Sequence, residues 1–220
     1  MELIIFAITN DWPVLLPIIV CSILVLAVTI ERWNFYRKNR RDVLEFINKM
    51  DRDLQRNNLE AALNISTECG GLLGEVSAEG IRTLAEQRHS FERLFDITAN
   101  LATRKLERNL SVLGTIATIS PYLGLFGTVV RILLTFGEMA KTGGGGAPTI
   151  MFGIGSALIA TAFGLGVAIV AVALNNYFHT IVSHWEEDFQ ILKLLFMSVS
   201  DPRSVGGASP HSQYTKRVEI

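Results

Sequence analysis

The chain has 220 residues, a formal net charge of −1 and a hydrophobic content of 49%. Its apolar residues are concentrated in long charge-free blocks, which excludes an ordinary soluble domain whose apolar residues recur in short periodic runs. We expect no nucleic acid among its partners.

Three blocks are long enough to cross a membrane. Residues 12–30 and 109–130 contain no charged residue, and residues 147–185 contain no Asp, Glu, Lys or Arg. A helix needs roughly 20 apolar residues to span the hydrocarbon core, and a spanning helix satisfies its backbone polar groups internally. We therefore predict an all-α integral membrane protein with spans at 12–30, 109–139 and 150–178.

Basic residues flank these blocks unevenly. The positive-inside rule places segments rich in Lys and Arg in the cytoplasm, so residues 31–108 and 179–220 are predicted inside. The N-terminal segment 1–11 and the Gly-rich loop 140–149 are predicted outside, in the periplasm. No basic segment precedes the first block, so we expect a retained span rather than a cleaved signal peptide. The basic residues are Arg32, Arg37, Lys38, Arg40 and Arg41 after the first span, and Arg104, Lys105 and Arg108 before the second.

The regions outside the spans have a helical pattern. Residues 42–66 predict two short amphipathic helices, and "CGGLLG" at 69–74 predicts a turn. Residues 81–113 and 167–200 contain neither Gly nor Pro. The second and third spans are therefore predicted to continue without a break into a cytoplasmic helical bundle, which includes a cytoplasmic helix at 179–200. The polar tail 201–220 is predicted to be disordered.

Motifs of enzyme chemistry are missing from the sequence. The "TGGGGAP" segment lacks the Lys-Ser/Thr ending of a phosphate-binding loop, and the four histidines show no ligand spacing. We therefore expect no enzyme activity, no metal site and no cofactor.

Small and polar residues recur along the second span in steps of three and four, which place them on one helix face. Arg131 stands out among them, because a charge near the centre of a span costs at least roughly 2.5–3.5 kcal/mol on insertion scales. Two interpretations of Arg131 remain open: it extends toward the outer surface or toward Glu138, or it faces a wet cavity or an acidic partner. The stripe consists of Gly114, Ala117, Pro121, Gly124, Thr128, Arg131, Thr135 and Glu138.

The third span has a second stripe, made of small residues that let helices approach closely in lipid. Thr161 borders this stripe and Ser156 lies nearby. A proton relay usually needs Asp, Glu or His within the membrane, and threonine does not titrate near neutral pH. If the protein conducts protons, the acid must come from another chain. The predicted packing residues are Gly153, Ala157, Ala160, Gly164 and Ala168, followed by Ala171.

Two motifs in these spans resemble the ExbB/TolQ/MotA family of ion-driven stators, most closely its ExbB branch. The second span is similar to the pattern P-x-x-G-L-L-G-T-V, with Pro121, Gly124 and Thr128 at matching positions. The third is similar to A-L-x-A-T-A-x-G-L-x-x-A-I-x-A, with Thr161 as its threonine and Asn175 as a later match. The resemblance covers about residues 12–200.

The resemblance implies a bacterial inner-membrane pentamer whose second and third spans line a central pore. Two copies of an ExbD-like single-span partner would occupy this pore and supply an Asp within the membrane. Thr128 and Thr161 would lie on the proton pathway. The further pore-facing candidates are Pro121, Gly124, Arg131, Thr135 and Ser156. Two positions depart from the family, which often has Glu at position 156 and a small residue at position 131.

The function implied is that of a proton-driven stator that energises outer-membrane uptake through a TonB-like protein. A TolQ-like role in envelope maintenance is the alternative within the family. A flagellar stator usually has four spans. The alternative of another class is a passive scaffold, whose spans pack on the same small residues but conduct no ions.

Overall fold

The computed structural model describes residues 12–39, 43–56, 58–86, 90–142 and 147–200. The predicted segments 1–11 and 201–220, and the loop glycines at 143–146, lie outside the described residues. The described part is helical and contains no strand, which confirms the predicted all-α fold. Its helices are α1 (Trp12–Asn39), α2 (Val43–Gln55), α3 (Leu59–Cys69), α4 (Gly71–Glu86), α5 (Phe91–Glu107), α6 (Leu110–Thr142) and α7 (Ala147–Ser200).

Three of these helices, α1, α6 and α7, are long and apolar enough to cross a membrane. They contain 28, 33 and 54 residues, whereas a span needs only about 20. Many of their large apolar side chains are exposed, as expected of helices whose solvent is lipid. The prediction of three spans is confirmed by the length and composition of these helices.

The chain divides into two compact units. The first, called the span unit here, contains α1 as far as Arg37 and residues 106–182. The second, called the helical unit, contains the described residues of 38–105 and of the segment from Ser183 onward. Each unit is described by itself below.

In the span unit, the helix that contains the second span begins later than predicted. The expected run without a break from residue 81 is wrong, because α4 ends at Glu86, α5 runs from Phe91 to Glu107, and α6 begins at Leu110. Asn109 has a φ of 64°, a left-handed conformation that Asn tolerates better than most residues. The predicted continuity of the third span is confirmed, since α7 runs without interruption to Ser200.

Two side chains of α1 bind the backbone next to this break. The hydroxyl of Tyr36 donates to the carbonyl oxygen of Leu106 at 2.8 Å, and Arg32 Nη1 donates to the same oxygen at 3.4 Å. The last carbonyls of a helix have no partner within the helix, so these bonds supply one. The amide of Asn109 also donates to Glu31 Oε2 at 2.7 Å. The end of α5 is thus held by α1 rather than continued into α6.

The helical unit has an aromatic core. Phe91 and Phe95 of α5 pack with Phe196 of α7, with ring centroids 5.7–6.0 Å apart. Lys193 is bonded to Asp96 at 2.8 Å and to Glu92 at 3.0 Å.

The turn predicted over residues 69–74 is shorter than expected, because α3 ends at Cys69 and α4 already begins at Gly71.

Candidate functional site

The contact between α6 and α7 in the span unit is built from small residues. Every small residue predicted to pack on the third span is buried, and Ala157 and Ala171 are 1% and 0% exposed. Large apolar side chains of α6 point away, as shown by Leu125 and Phe126, which are more than half exposed. The buried small residues of α7 are Gly153, Ala157, Ala160, Gly164, Ala168 and Ala171.

Glycines bring the two backbones into direct contact. A Cβ atom on Gly164 would lie 2.7 Å from the carbonyl oxygen of Ser120 and 2.9 Å from Gly124 Cα. A Cβ atom on Gly124 would lie 3.0 Å from Thr161 Cα. Toward the C-terminal end of α6, a Cβ atom on Gly153 would overlap the hydroxyl of Thr135. Gly124 and Gly164 cannot accept a larger side chain unless the helices move apart, whereas at Gly153 the side chain of Thr135 would have to shift.

The residues of α6 that are buried form a line along the helix, called the buried line here. This line lies on a slightly different face of α6 from the stripe predicted from the sequence. Gly124, Arg131 and Thr135 belong to both, and they are buried. The other predicted members on the span, Gly114, Ala117, Pro121 and Thr128, are only half-buried, and Glu138 is exposed. They lie along the edge of the contact, where part of each surface is available to another chain. The buried line consists of Leu110, Leu113, Ile116, Ser120, Gly124, Gly127, Arg131 and Thr135.

Ser120 and Gly127 were missed by the sequence reasoning. Both lie three or four residues from Gly124, so the helical step that identified the stripe also allowed them. The hydroxyl of Ser120 is buried and has no hydrogen-bond partner among the described residues.

Thr128 and Thr161 lie on the same turn of the contact. The hydroxyl of Thr161 donates to the carbonyl oxygen of Gly124 at 3.0 Å, across the two helices. In an α-helix, that carbonyl also accepts the backbone N–H of the residue four positions later, which is Thr128. The hydroxyl of Thr128 donates to the carbonyl oxygen of Leu125 at 2.7 Å. Both hydroxyls keep lone pairs that can accept a further hydrogen bond.

Arg131 forms a polar cluster with Ser156 and Glu138. It is 5% exposed, and its Nε donates to Ser156 Oγ at 3.1 Å. Ser156 in turn donates to the carbonyl oxygen of Gly153 at 3.0 Å, and Thr135 donates to the carbonyl oxygen of Arg131 at 3.0 Å. Arg131 Nη1 lies 4.0 Å from Glu138 Oε1. The side chain of Arg131 therefore points into the helix contact. It also reaches toward Glu138, which agrees with the first of the two interpretations given above.

A separate groove of about 480 Å³ lies between α1 and α7. Its walls are apolar apart from the hydroxyl of Ser22, so it lacks the row of polar groups that a proton path requires. Among the described residues, no group of three His, Cys, Asp or Glu side chains is placed to hold a metal ion.

The profile of the MotA/TolQ/ExbB proton channel family matches residues 69–191. This range includes Thr128, Thr161 and all the residues of the contact between α6 and α7 described above. The chain belongs to this family. The resemblance predicted from the two motifs is thereby confirmed. The family is one of proton channels and not of enzymes.

Proteins of two names within the family are similar to the chain. The biopolymer transport protein ExbB of Helicobacter pylori is 42% identical over 88 residues, which cover 40% of this chain and 61% of that protein. The Tol-Pal system protein TolQ of Haemophilus influenzae is 38% identical over 121 residues, which cover 54% of this chain and 52% of that protein. ExbB of Aquifex aeolicus is 43% identical over 74 residues, which cover 34% of this chain and 50% of that protein. The chain thus spans about half the length of these curated relatives.

Proposed function

We propose that this protein is the stator subunit of a proton-driven motor in the bacterial inner membrane. Its α6 and α7 helices would line the pore of a pentamer that encloses two copies of an ExbD-like single-span companion. The observation that carries the proposal is the Thr128–Thr161 pair, whose hydroxyls donate to the carbonyl oxygens of two consecutive residues of α6, Leu125 and Gly124. As placed, each hydroxyl can accept a hydrogen bond from a protonated acid on a companion helix, and it can donate to an ionised acid after rotating away from its backbone carbonyl.

The acid has to come from the companion. Residues 12–30, 109–137 and 147–178 contain no Asp, Glu or His, and the one acid of the predicted spans, Glu138, lies at the outer end of the second span, ten residues from Thr128. Thr128 lies at the half-buried edge of the contact, where a companion carboxylate can reach it. Membrane carboxylates are costly and are retained where they carry ions.

The energy of this process comes from the membrane potential and the proton gradient. One proton that crosses a potential of 100 mV releases roughly 2.3 kcal/mol. Useful mechanical work therefore requires several protons in succession. A ring of five subunits around a pair of acids provides repeated equivalent sites for them, and the companion would transmit the resulting motion to a TonB-like protein.

The orientation proposed here follows from the positive-inside rule. The basic residues around residues 31–41 and 104–108 favour a cytoplasmic position for that part of the chain, and the C-terminal part of α7 would lie on the same side. The N-terminus and the connection between α6 and α7 would then face the periplasm. The C-terminal end of α6, with Arg131 and Glu138, would form the periplasmic side of the ion path.

A TolQ-like role in the Tol-Pal envelope system is the second candidate. It is favoured by the TolQ protein of Haemophilus influenzae, whose similarity covers 54% of this chain, more than either of the two ExbB relatives described. The contact geometry of the threonine pair serves both roles equally. Complementation separates them: the chain should restore TonB-dependent uptake in a strain that lacks ExbB, or envelope integrity in one that lacks TolQ.

The proposal is tested by proton flux through the purified complex in liposomes. The complex contains the full chain and the single-span protein that co-purifies with it. Thr128→Val and Thr161→Val each keep the shape of the side chain and remove its hydroxyl, so each should lower flux at least tenfold while the complex still assembles. Thr161→Ser, which keeps a hydroxyl, should retain most of the flux.

Thr118→Val is the matched control. Thr118 lies on the same helix, its hydroxyl donates to the carbonyl oxygen of Gly114 at 3.0 Å, and it is exposed. This variant should conduct protons like the unmodified chain. A passive scaffold would give no flux in any variant and would tolerate the valines in complementation, and that result would reject the proposal.

A further inference from the structure

Arg131 carries a permanent positive charge into the contact between α6 and α7. Its side chain is 6% exposed, and the bond from Nε to Ser156 Oγ holds it between the helices. Ser156 is itself fixed by its bond to the carbonyl oxygen of Gly153. An arginine so enclosed cannot extend its charge to the membrane surface as an exposed one does. The charge is therefore fixed in position.

This charge lies close to the threonine pair. Ser156 precedes Thr161 by five residues on α7, which corresponds to about 8 Å along a helix axis at about 1.5 Å per residue. Glu138 lies on the opposite side of the guanidinium along α6, 4.0 Å from Nη1, and its side chain is 57% exposed. The guanidinium therefore lies between Glu138 and the turn that carries the threonines, and the largely solvated carboxylate of Glu138 offsets only part of its charge.

We propose that Arg131 is a fixed-charge barrier that keeps cations from passing the Thr128–Thr161 pair while no companion acid is bound there. This inference rests on the proposed function, since it assumes that ions pass the threonine pair. A single arginine can exclude cations and protons from a narrow pore electrostatically. A carboxylate that arrives at the threonines would offset the field of the guanidinium, so the barrier would fall only when the companion is in place.

The size of the barrier follows from Coulomb's law. If the axial spacing of about 8 Å is taken as the separation of two unit charges, at an effective dielectric constant of about 20, their repulsion lowers the occupancy of the site by at most about 30-fold, because the opposite charge of Glu138 reduces the effect. The spans contain no other arginine or lysine between residues 109 and 140, so this effect depends on one side chain.

The experiment measures passive proton leak into liposomes that contain the purified full chain without any companion. A potassium diffusion potential drives the leak, and an enclosed pH-sensitive dye records it. Arg131→Gln keeps a hydrogen-bond donor but removes the charge, so its leak should be faster than that of the unmodified chain by roughly 3-fold to 30-fold. Arg131→Lys keeps the charge and should remain tight.

Arg131→Met provides a second neutral variant, which fills a similar volume and adds no titrating group to the span. Its leak should increase as it does in Arg131→Gln. Lys141→Gln is the matched control, because it removes an equal charge from an exposed position of the same helix and should leave the leak unchanged. If Arg131→Gln does not assemble on size exclusion, Arg131→Met decides.

The inference is overturned if the neutralised variants that assemble are as tight as the unmodified chain, or if Arg131→Lys leaks as much as Arg131→Gln. In the second case the shape of arginine, and not its charge, closes the path. The proposed function is tested separately, by companion-dependent flux in the threonine variants. If Arg131→Gln leaks no faster than the unmodified chain while the threonine variants lose companion-dependent flux, the inference about Arg131 is rejected and the proposed function stands.

Discussion

Gly164 is the residue at which the backbones of α6 and α7 leave no room for a Cβ atom. In Gly164→Ala the added carbon would meet backbone atoms of Ser120 and Gly124 at less than 3.0 Å, and backbone atoms yield only if a helix moves. We expect the free energy of unfolding to fall by about 1–3 kcal/mol, as for other overpacked contacts. Thermal unfolding of the detergent-solubilised protein measures this loss.

Gly166→Ala is the control for that substitution, since nothing lies within 4 Å of a Cβ atom on Gly166. Replacing an unconstrained helical glycine by alanine stabilises a helix by roughly 0.5–1 kcal/mol. This variant should therefore unfold at the same temperature as the unmodified protein or slightly above it. Equal losses in the two variants would show that close approach at Gly164 does not determine the packing of the spans.

Asp188 is a titrating residue of the helical unit. Partial burial raises the pKa of its carboxyl from the ordinary value of 3.8 to about 6; His184 opposes this shift and Glu187 adds to it. Above pH 6 the folded protein holds an ionised carboxylate that would be better solvated in the unfolded chain, and this destabilises the fold. The destabilisation disappears as the pH falls from about 6 toward 4, where the carboxyl is protonated in the folded state.

Asp188→Asn should accordingly raise the unfolding temperature at pH 7.5, and the gain should shrink toward zero at pH 4. Unfolding scans at several pH values measure the difference between the variant and the unmodified protein. Glu186→Gln, at a neighbouring exposed position, should show no such pH-dependent gain. A gain from Asp188→Asn that is equal at both pH values would contradict the raised pKa.

At the scale of elements, the break between α5 and α6 depends on the left-handed conformation of Asn109. Asn109→Ala keeps a Cβ atom in that conformation but loses the polar side chain that lets Asn tolerate it, and a left-handed alanine costs up to about 1–2 kcal/mol. Asn109→Gly removes the same bond to Glu31 but adopts the conformation freely. We therefore expect Asn109→Ala to lower the unfolding temperature more than Asn109→Gly does. The reverse order would mean that the helix does not break at this residue.

The elements differ in how far the sequence predicts them. The three spans follow from charge-free blocks because lipid tolerates few charges, and the length of α7 follows from the lack of Gly and Pro after residue 166. The break at Asn109 was not predicted, because the bond of Tyr36 to Leu106 joins residues 70 positions apart. An Asn at the end of a helical pattern is a known termination signal that could have indicated it.

The candidate site was predicted in its residues but not in its geometry. Composition and steps of three and four identified Thr128, Thr161 and Arg131, yet the same steps also allow the line through Ser120 and Gly127. Which line is buried depends on the rotation of α6 against α7, and the close fit of Gly124 and Gly164 determines it. The bond from Thr161 to Gly124 likewise depends on the register of the two helices.

At the scale of the whole molecule, the proposed function belongs to an assembly and not to one chain. In the proposed assembly the chain would contribute hydroxyls and the fixed charge of Arg131, and its spans contain no acid at the level of the threonines. The exposed apolar side chains of the spans, such as Phe126 and Leu133, provide surface for lipid and for neighbouring subunits. The half-buried edge that contains Pro121 and Thr128 is the surface that we expect to face the companion.

The most direct test of this account is the structure of the full chain in lipid together with the single-span protein that co-purifies with it. We predict that a companion carboxylate lies in the centre of the assembly, within hydrogen-bond distance of the hydroxyls of Thr128 and Thr161 or one water molecule away. An assembly in which these hydroxyls face acyl chains, or whose centre holds no acid-bearing helix, would contradict the account.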